Sequence, residues 1–222
     1  MSVVIYEMRH SPFCIPITQM LRAGGVEFDS REIPNWDRSE VIRLTKGAYY
    51  QVPLLLHDER AIFESQPDSQ DVARYVDKTF LRSRLFPAPL EGLQAILIDF
   101  LENEVEARTF KLVDPPYLES VDDIVARAMV VRHKERKFGP GCIDQWRRDA
   151  PKIRAEADRL LQRFEVTLQH SPFLLGKSPV YSDFLLFGIL GNLTFRGYNR
   201  LNESQQALGE WSERLRALRW SD

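Results

Sequence analysis

Residues 3–28 read VVIYEMRHSPFCIPITQMLRAGGVEF, and this stretch decides the fold class. Val3 to Tyr6 is a short β-branched run ending before a Ser11-Pro12 turn signal, the pattern of a strand. Ile17, Met20 and Leu21 then fall at i, i+3 and i+4, which gathers apolar side chains on one helix face. Gly24-Gly25 supplies a helix stop before Val26 and Phe28 resume strand character. The alternation continues with a helix around Ser39 to Leu44 that ends at Lys46-Gly47. Val52 to Leu56 and Ala61 to Phe63 read as two strands of a hairpin around Asp58-Glu59, and Val72, Tyr75, Val76 and Phe80 return to helical spacing. The expected order is β-α-β-α-β-β-α, an α/β domain over residues 1–80.

Beyond Phe80 the pattern changes. Pro87 and Pro89 interrupt an arginine-containing connector at 81–91, and from 92 to 222 apolar stripes recur at helical spacing without strand-like alternation. Ile96, Leu97 and Phe100 mark one helix and Ile124, Val125 and Ala128 another. Ala157, Leu160, Leu161, Phe164 and Leu168 mark a third, and Leu208, Trp211, Leu215 and Leu218 a fourth. An all-α helical bundle is expected there, with Gly139-Pro140-Gly141 as a sharp loop between helices.

Thirty basic against thirty-two acidic residues leave a formal charge of -2, so no overall field draws the chain to nucleic acid or an anionic membrane. The longest apolar run, Phe184 to Leu190 and a little beyond, is far shorter than the ~20 residues that span a bilayer. No export signal precedes Val3, and two cysteines, Cys14 and Cys142, make no disulfide framework. A cytoplasmic protein is expected, with no metal site.

Three features carry chemistry. Ser11-Pro12-Phe13-Cys14 opens the first helix, where free backbone N–H groups and the macrodipole favour an anion such as a thiolate. A thiol of pKa about 8.5 is only ~3% ionised at pH 7, and a donor such as the Ser11 hydroxyl raises that fraction. The same residues also read as an ordinary N-cap and N1 pair, with Cys14 as a small buried hydrophobe. Gln51-Val52-Pro53 puts a proline at the start of a strand; a cis bond there would present the Val52 backbone to an extended peptide. Asp68-Ser69 stands at a helix start, suited to a ligand carboxylate or to plain capping.

In this order and spacing the three features resemble the glutathione transferase superfamily, over nearly the whole chain. Asp68-Ser69 followed by Val72 and Tyr75-Val76 is similar to that family's E-S-x-x-I-x-x-Y-L stretch, and Phe173-Leu174-Leu175-Gly176 with Ser182-Asp183-Phe184 resembles its helical-domain signature. The resemblance implies a thioredoxin-like domain followed by a helical one. It implies glutathione as co-substrate, with Ser11 at the thiol, Val52 pairing with the cysteinyl unit and Asp68-Ser69 at the γ-glutamyl end. A homodimer and a small hydrophobic electrophile are implied as partners, with conjugation or ether and thioether cleavage as the reaction.

Some residues depart from the pattern. Glu64-Ser65 offers a second acidic-serine pair, and Val180 stands where the family has serine or threonine, which removes the side-chain half of a capping box. S-P-F-C also looks like the C-P-x-C of glutaredoxins with its first cysteine replaced. That replacement argues for conjugation over disulfide exchange; Cys14 as a thiol-disulfide nucleophile is an alternative, and a non-catalytic interaction protein that keeps the fold is another. His10 is a candidate base, Tyr6, Tyr49 and Tyr50 are candidate ring donors, and the basic stretch from His133 to Phe138 reads as a solvated helix end or as a face for an anionic co-substrate.

Overall fold

A computed structural model describes residues 2–66 and 69–220. The first half runs β1 (Val3–Glu7), α1 (Cys14–Ala23), β2 (Asp29–Glu32), α2 (Ser39–Leu44), β3 (Leu54–His57), β4 (Arg60–Ile62) and α3 (Asp71–Phe80). The sheet order is β2-β1-β3-β4, with β1 parallel to β2 and the other pairs antiparallel. Alternation along the strands sends side chains to two cores. Val3, Ile5 and Leu55 join the core that holds α1 and α3, while Tyr6 and Leu54 face Val41 of α2. This is the expected α/β half, helices covering both faces of a four-stranded mixed sheet.

One strand is displaced from its expected place. β2 begins at Asp29, beyond Val26 and Phe28, and all four of its residues are exposed. Val26 and Phe28 instead pack against the core just before the strand, so the apolar pair anchors the chain and backbone pairing to β1 makes the edge.

The helical half contains α4 (Glu91–Phe100), a π-helical stretch Leu101–Glu106, α5 (Ala107–Glu119), α6 (Ile124–Phe138), α7 (Cys142–His170), α8 (Tyr181–Leu193) and α9 (Gln206–Ala217). Gly139 and Gly141 turn the chain between α6 and α7 at φ of 95° and 72°, backbone that glycine adopts without a Cβ clash. The four apolar stripes lie on α4, α6, α7 and α9, but the one read on α6 is on the wrong face: Ile124, Val125 and Ala128 are exposed, and Ala126 and Val130 are its buried residues. The sequence pattern missed α5 and α8: α5 holds Pro115 and Pro116 in its interior, and α8 is apolar all round, so it has no stripe.

α8 is the buried axis of this half. Asp183 Oδ1 accepts hydrogen bonds from Leu174 N (2.9 Å) and Trp211 Nε1 (3.0 Å), and Oδ2 accepts one from Val180 N (3.0 Å). Only this reciprocal half of the capping box forms, as the valine at 180 requires. Burial pushes the Asp183 carboxyl up to about 6 despite those donors.

The two halves are stitched by backbone-directed contacts. Gln19 Nε2 donates to Leu215 O (2.7 Å), Trp220 N to Ala23 O (2.7 Å) and Asn192 Nδ2 to His10 O (2.6 Å). Gly188 of α8 faces the start of α1. A Cβ placed there falls on the Pro12 carbonyl oxygen and 2.6 Å from Pro16 Cδ. Gly188→Ala is therefore expected to cost about 1–3 kcal/mol by overpacking. Gly209→Ala in α9 is the control: nothing lies within 4 Å of its Cβ, and loss of backbone freedom should add about 0.5–1 kcal/mol. Urea midpoints of the two variants should move in opposite directions.

Candidate functional site

The turn from β1 into α1 is held by Ser11 N donating to Met8 O (2.8 Å). The Ser11 hydroxyl oxygen accepts from Phe13 N (3.2 Å) and Cys14 N (3.3 Å), so it caps the helix. Ser11 is only 4% exposed. Cys14 lies one turn deeper with no exposed surface, packed with Tyr6, Val41, Val52 and Leu54. Burial pushes its thiol up to about 12, against the lowering effect of hydrogen bonds with the Ser11 side chain and the Met8 backbone. At pH 7 that leaves about one thiolate in 10⁵. The sulfur named as a nucleophile in the thiol-disulfide reading is thus neither reachable nor ionised in this structure.

Val52 and Pro53 are buried beside this core, and the Val52-Pro53 peptide is cis, while Gln51 is exposed. At α3 the arrangement differs from a vacant helix start. Glu64 reaches over the N-terminus: Oε2 accepts from Asp71 N (2.7 Å) and from the Ser69 hydroxyl (2.5 Å), and Oε1 accepts from Val72 N (3.2 Å). The Ser65 and Ser69 hydroxyls both donate to Asp71 Oδ2. Asp68 lies outside the described residues. Glu64, Ser65 and Ser69 therefore meet at one helix end, with Glu64 as the cap.

Arg38, just ahead of α2, went unnoticed in the sequence because a single arginine in a loop has no periodicity to mark it. Its Nη2 donates to Asn35 Oδ1 (3.1 Å) and lies 3.2 Å from Met8 Sδ. Nη1 is buried and has no hydrogen-bond partner among the described residues. Tyr49, whose ring stacks on Phe63 at 5.2 Å, has its hydroxyl pKa raised by burial first, then by the charge of Glu64. Tyr6 is a core residue and Tyr50 is exposed.

Across the seam stands α5. Tyr117 stacks on His10 at 4.3 Å, and its hydroxyl, hydrogen-bonded to Asn35, has a pKa raised by burial. Phe195 closes the other side of His10 at 5.5 Å. Burial, then the charges of Lys134, Arg38 and Arg196, push His10 down to about 4, so it is a neutral ring at pH 7 and a weak base. In the basic stretch, Lys134 is not on a solvated face: its Nζ lies 2.5 Å from Asp114 Oδ2, and its side chain is 19% exposed. Burial pushes nearby Glu106 up to about 7. No cluster of three or more His, Cys, Asp or Glu suited to a metal occurs among the described residues.

The thiol chemistry is directly measurable. Cys14 and Cys142 are both buried and unpaired, so the native protein should leave both unlabelled by an aromatic disulfide reagent at pH 7.5 over minutes. Two equivalents should react at once in denaturant; a fast-reacting native thiol would contradict this burial.

Residues 5–83 match the family model described as Glutathione S-transferase, N-terminal domain. Among curated proteins, Glutathione S-transferase U28 of Arabidopsis thaliana is 31% identical over 85 residues, covering 38% of this chain and 36% of that protein. Glutathione S-transferase U22 of the same plant is 26% identical over 107 residues, 47% of each. The chain thus aligns with less than half the length of these relatives. Glutathione transferase GSTFuA3 from Phanerochaete chrysosporium has a TM-score of 0.78 at 14% identity, over 100% of this chain and 99% of that one. The glutathione S-transferase CsGST63524 of Ceriporiopsis subvermispora, solved in complex with glutathione, has a TM-score of 0.77 at 14% identity, over 96% and 97%. At such identities the structures establish a shared fold. The family-model match is confined to residues 5–83, while the fold is shared end to end with glutathione transferases.

Proposed function

We propose that this protein is a glutathione-dependent transferase whose Ser11 hydroxyl stabilises the glutathione thiolate for attack on an electrophile held in the seam between the halves. One observation carries the reading. At α2, α3, α6, α8 and α9 a carboxylate of the chain itself accepts N-terminal backbone N–H groups, namely Asp37, Glu64, Asp123, Asp183 and Glu165. At α1 the cap is the neutral Ser11 hydroxyl, and no acidic residue lies in the first turn. That leaves the dipole of α1 uncompensated by the chain, which suits an anion supplied from outside. Two amides donating to Ser11 Oγ also polarise its O–H toward a thiolate.

In this reading glutathione lies extended along Val52, with its γ-glutamyl end at the start of α3 near Ser69 and its glycine carboxylate toward the partnerless Nη1 of Arg38. The γ-glutamyl carboxylate reaches the α3 amides by displacing Glu64. Attack forms the carbon–sulfur bond and expels the leaving group with its electron pair; the leaving group decides between conjugation and ether or thioether cleavage. Work in the cytoplasm suits a chain with two buried, unpaired thiols.

The test is the ultraviolet difference spectrum of bound glutathione. A thiolate band should appear near neutral pH, survive Cys14→Ala, and fall about tenfold or more in Ser11→Ala while calorimetry still records binding. No band and no binding in any form would overturn the reading. The pH profile of kcat/KM should lack a histidine limb between 5 and 8, because His10 is neutral throughout that range.

A homodimer is part of the proposal. Leu93 and Ile96 of α4 are 51% and 70% exposed, beside the Arg74–Glu91 ion pair that joins α3 to α4. A second copy would cover this apolar face. Ile96→Glu should convert a dimer to a monomer in sedimentation velocity; an unchanged dimer would place the interface elsewhere.

A further inference from the structure

Glu106 at the end of the π-helical stretch and Phe110, Asp114 and Tyr117 of α5 are spaced four, four and three residues apart, so they form one stripe. The stripe ends on Tyr117, whose ring lies on His10, the residue before Ser11. It therefore faces the start of α1. This is not an aliphatic wall. Lys134 of α6 reaches into it, with Nζ 2.5 Å from Asp114 Oδ2 and 5.0 Å from the centre of the Phe110 ring.

We infer that the second substrate is an aromatic electrophile carrying a carboxylate, seated on Lys134 with its ring against Phe110 and Tyr117; this rests on the transferase reading above. Lys134 has three N–H donors, and Asp114 engages one side of it. Its side chain keeps 19% of its surface exposed beside Asp114. The charges that act on His10, in the middle of the seam, are Lys134, Arg38 and Arg196, all cations. Asp114 offsets one of them. Burial raises the Glu106 carboxyl to about 7, which weakens its negative charge at neutral pH. Lys134 beside the Phe110 ring brings a cation to these aromatic side chains, with Asp114 and Glu32 as the opposing charges, which suits an aryl carboxylate better than a neutral arene.

A matched pair of chloroarenes tests the inference: 4-chloro-3,5-dinitrobenzoate and its methyl ester. In both, the glutathione thiolate attacks the carbon bearing chlorine, the carbon–sulfur bond forms, and chloride leaves with the electron pair; the thiol proton has already passed to solvent. The acid should show kcat/KM about tenfold above the ester, the scale of one charge-assisted hydrogen bond. Lys134→Gln should bring the acid-to-ester ratio to within about twofold. Asp114→Asn leaves the Lys134 charge without its counter-ion and should raise the ratio, so the two variants move it in opposite directions. Calorimetry with the unreactive 3,5-dinitrobenzoate and its ester gives the same comparison without turnover. An ester that binds as well as the acid to the native protein, or a preference that survives Lys134→Gln, would overturn the inference. Absence of glutathione binding with the benzoate preference intact would instead sink the transferase reading and leave the Lys134 seat standing.

Discussion

The close approach of α1 to α8 is the constraint on which the site depends. Gly188 leaves room for the Pro12 carbonyl and the Pro16 ring, and Asn192, one turn further along α8, donates to the His10 carbonyl on the same face. The Ser11-Pro12 turn is thus clamped against the helical half by packing and by a hydrogen bond. α8 can serve as the clamp because Asp183 locks its first turn to Leu174, Val180 and Trp211. Movement of α8 would carry the Ser11 turn with it and change the width of the seam.

A second theme is how the chain satisfies its helix ends. Asp77 accepts from Leu85 N and Phe86 N and so fixes the connector between the halves, while Glu165 holds Ala207 N and Leu208 N at the start of α9. With Asp183 and Glu64, these carboxylates take up backbone donors that would otherwise be costly to bury. Against that background α1 is capped by a neutral hydroxyl, and it lies where the two halves meet.

Much of the fold was legible in the sequence because it rests on periodicity. The strands Val3–Glu7 and Leu54–His57 and the helices α1, α3, α4, α6, α7 and α9 each left an apolar pattern of period two or 3.6. Where burial is total or a local signal conflicts with context, the pattern fails. α8 is enclosed on every side and so has no polar face, and Pro115-Pro116 stays helical because α7 and α8 pack against α5. At β2 the apolar pair lies ahead of the strand, since an edge strand is defined by its partner's hydrogen bonds rather than by burial.

The site divides the same way. The sequence by itself determined that Ser11 opens α1, that proline stands before β3, and that acidic-serine pairs lie ahead of α3, because these follow from neighbours within a few residues. It also carried the resemblance to glutathione transferases. Only the tertiary structure decided that Cys14 is sealed in a core, that Glu64 fills the α3 terminus, and that Lys134 turns inward to Asp114. The arrival of Arg38, His10, Tyr117 and Lys134 at one seam was likewise invisible, since they come from four separate segments. Dielectric, exposure and charge–charge distance are properties of that convergence, and no local pattern encodes them.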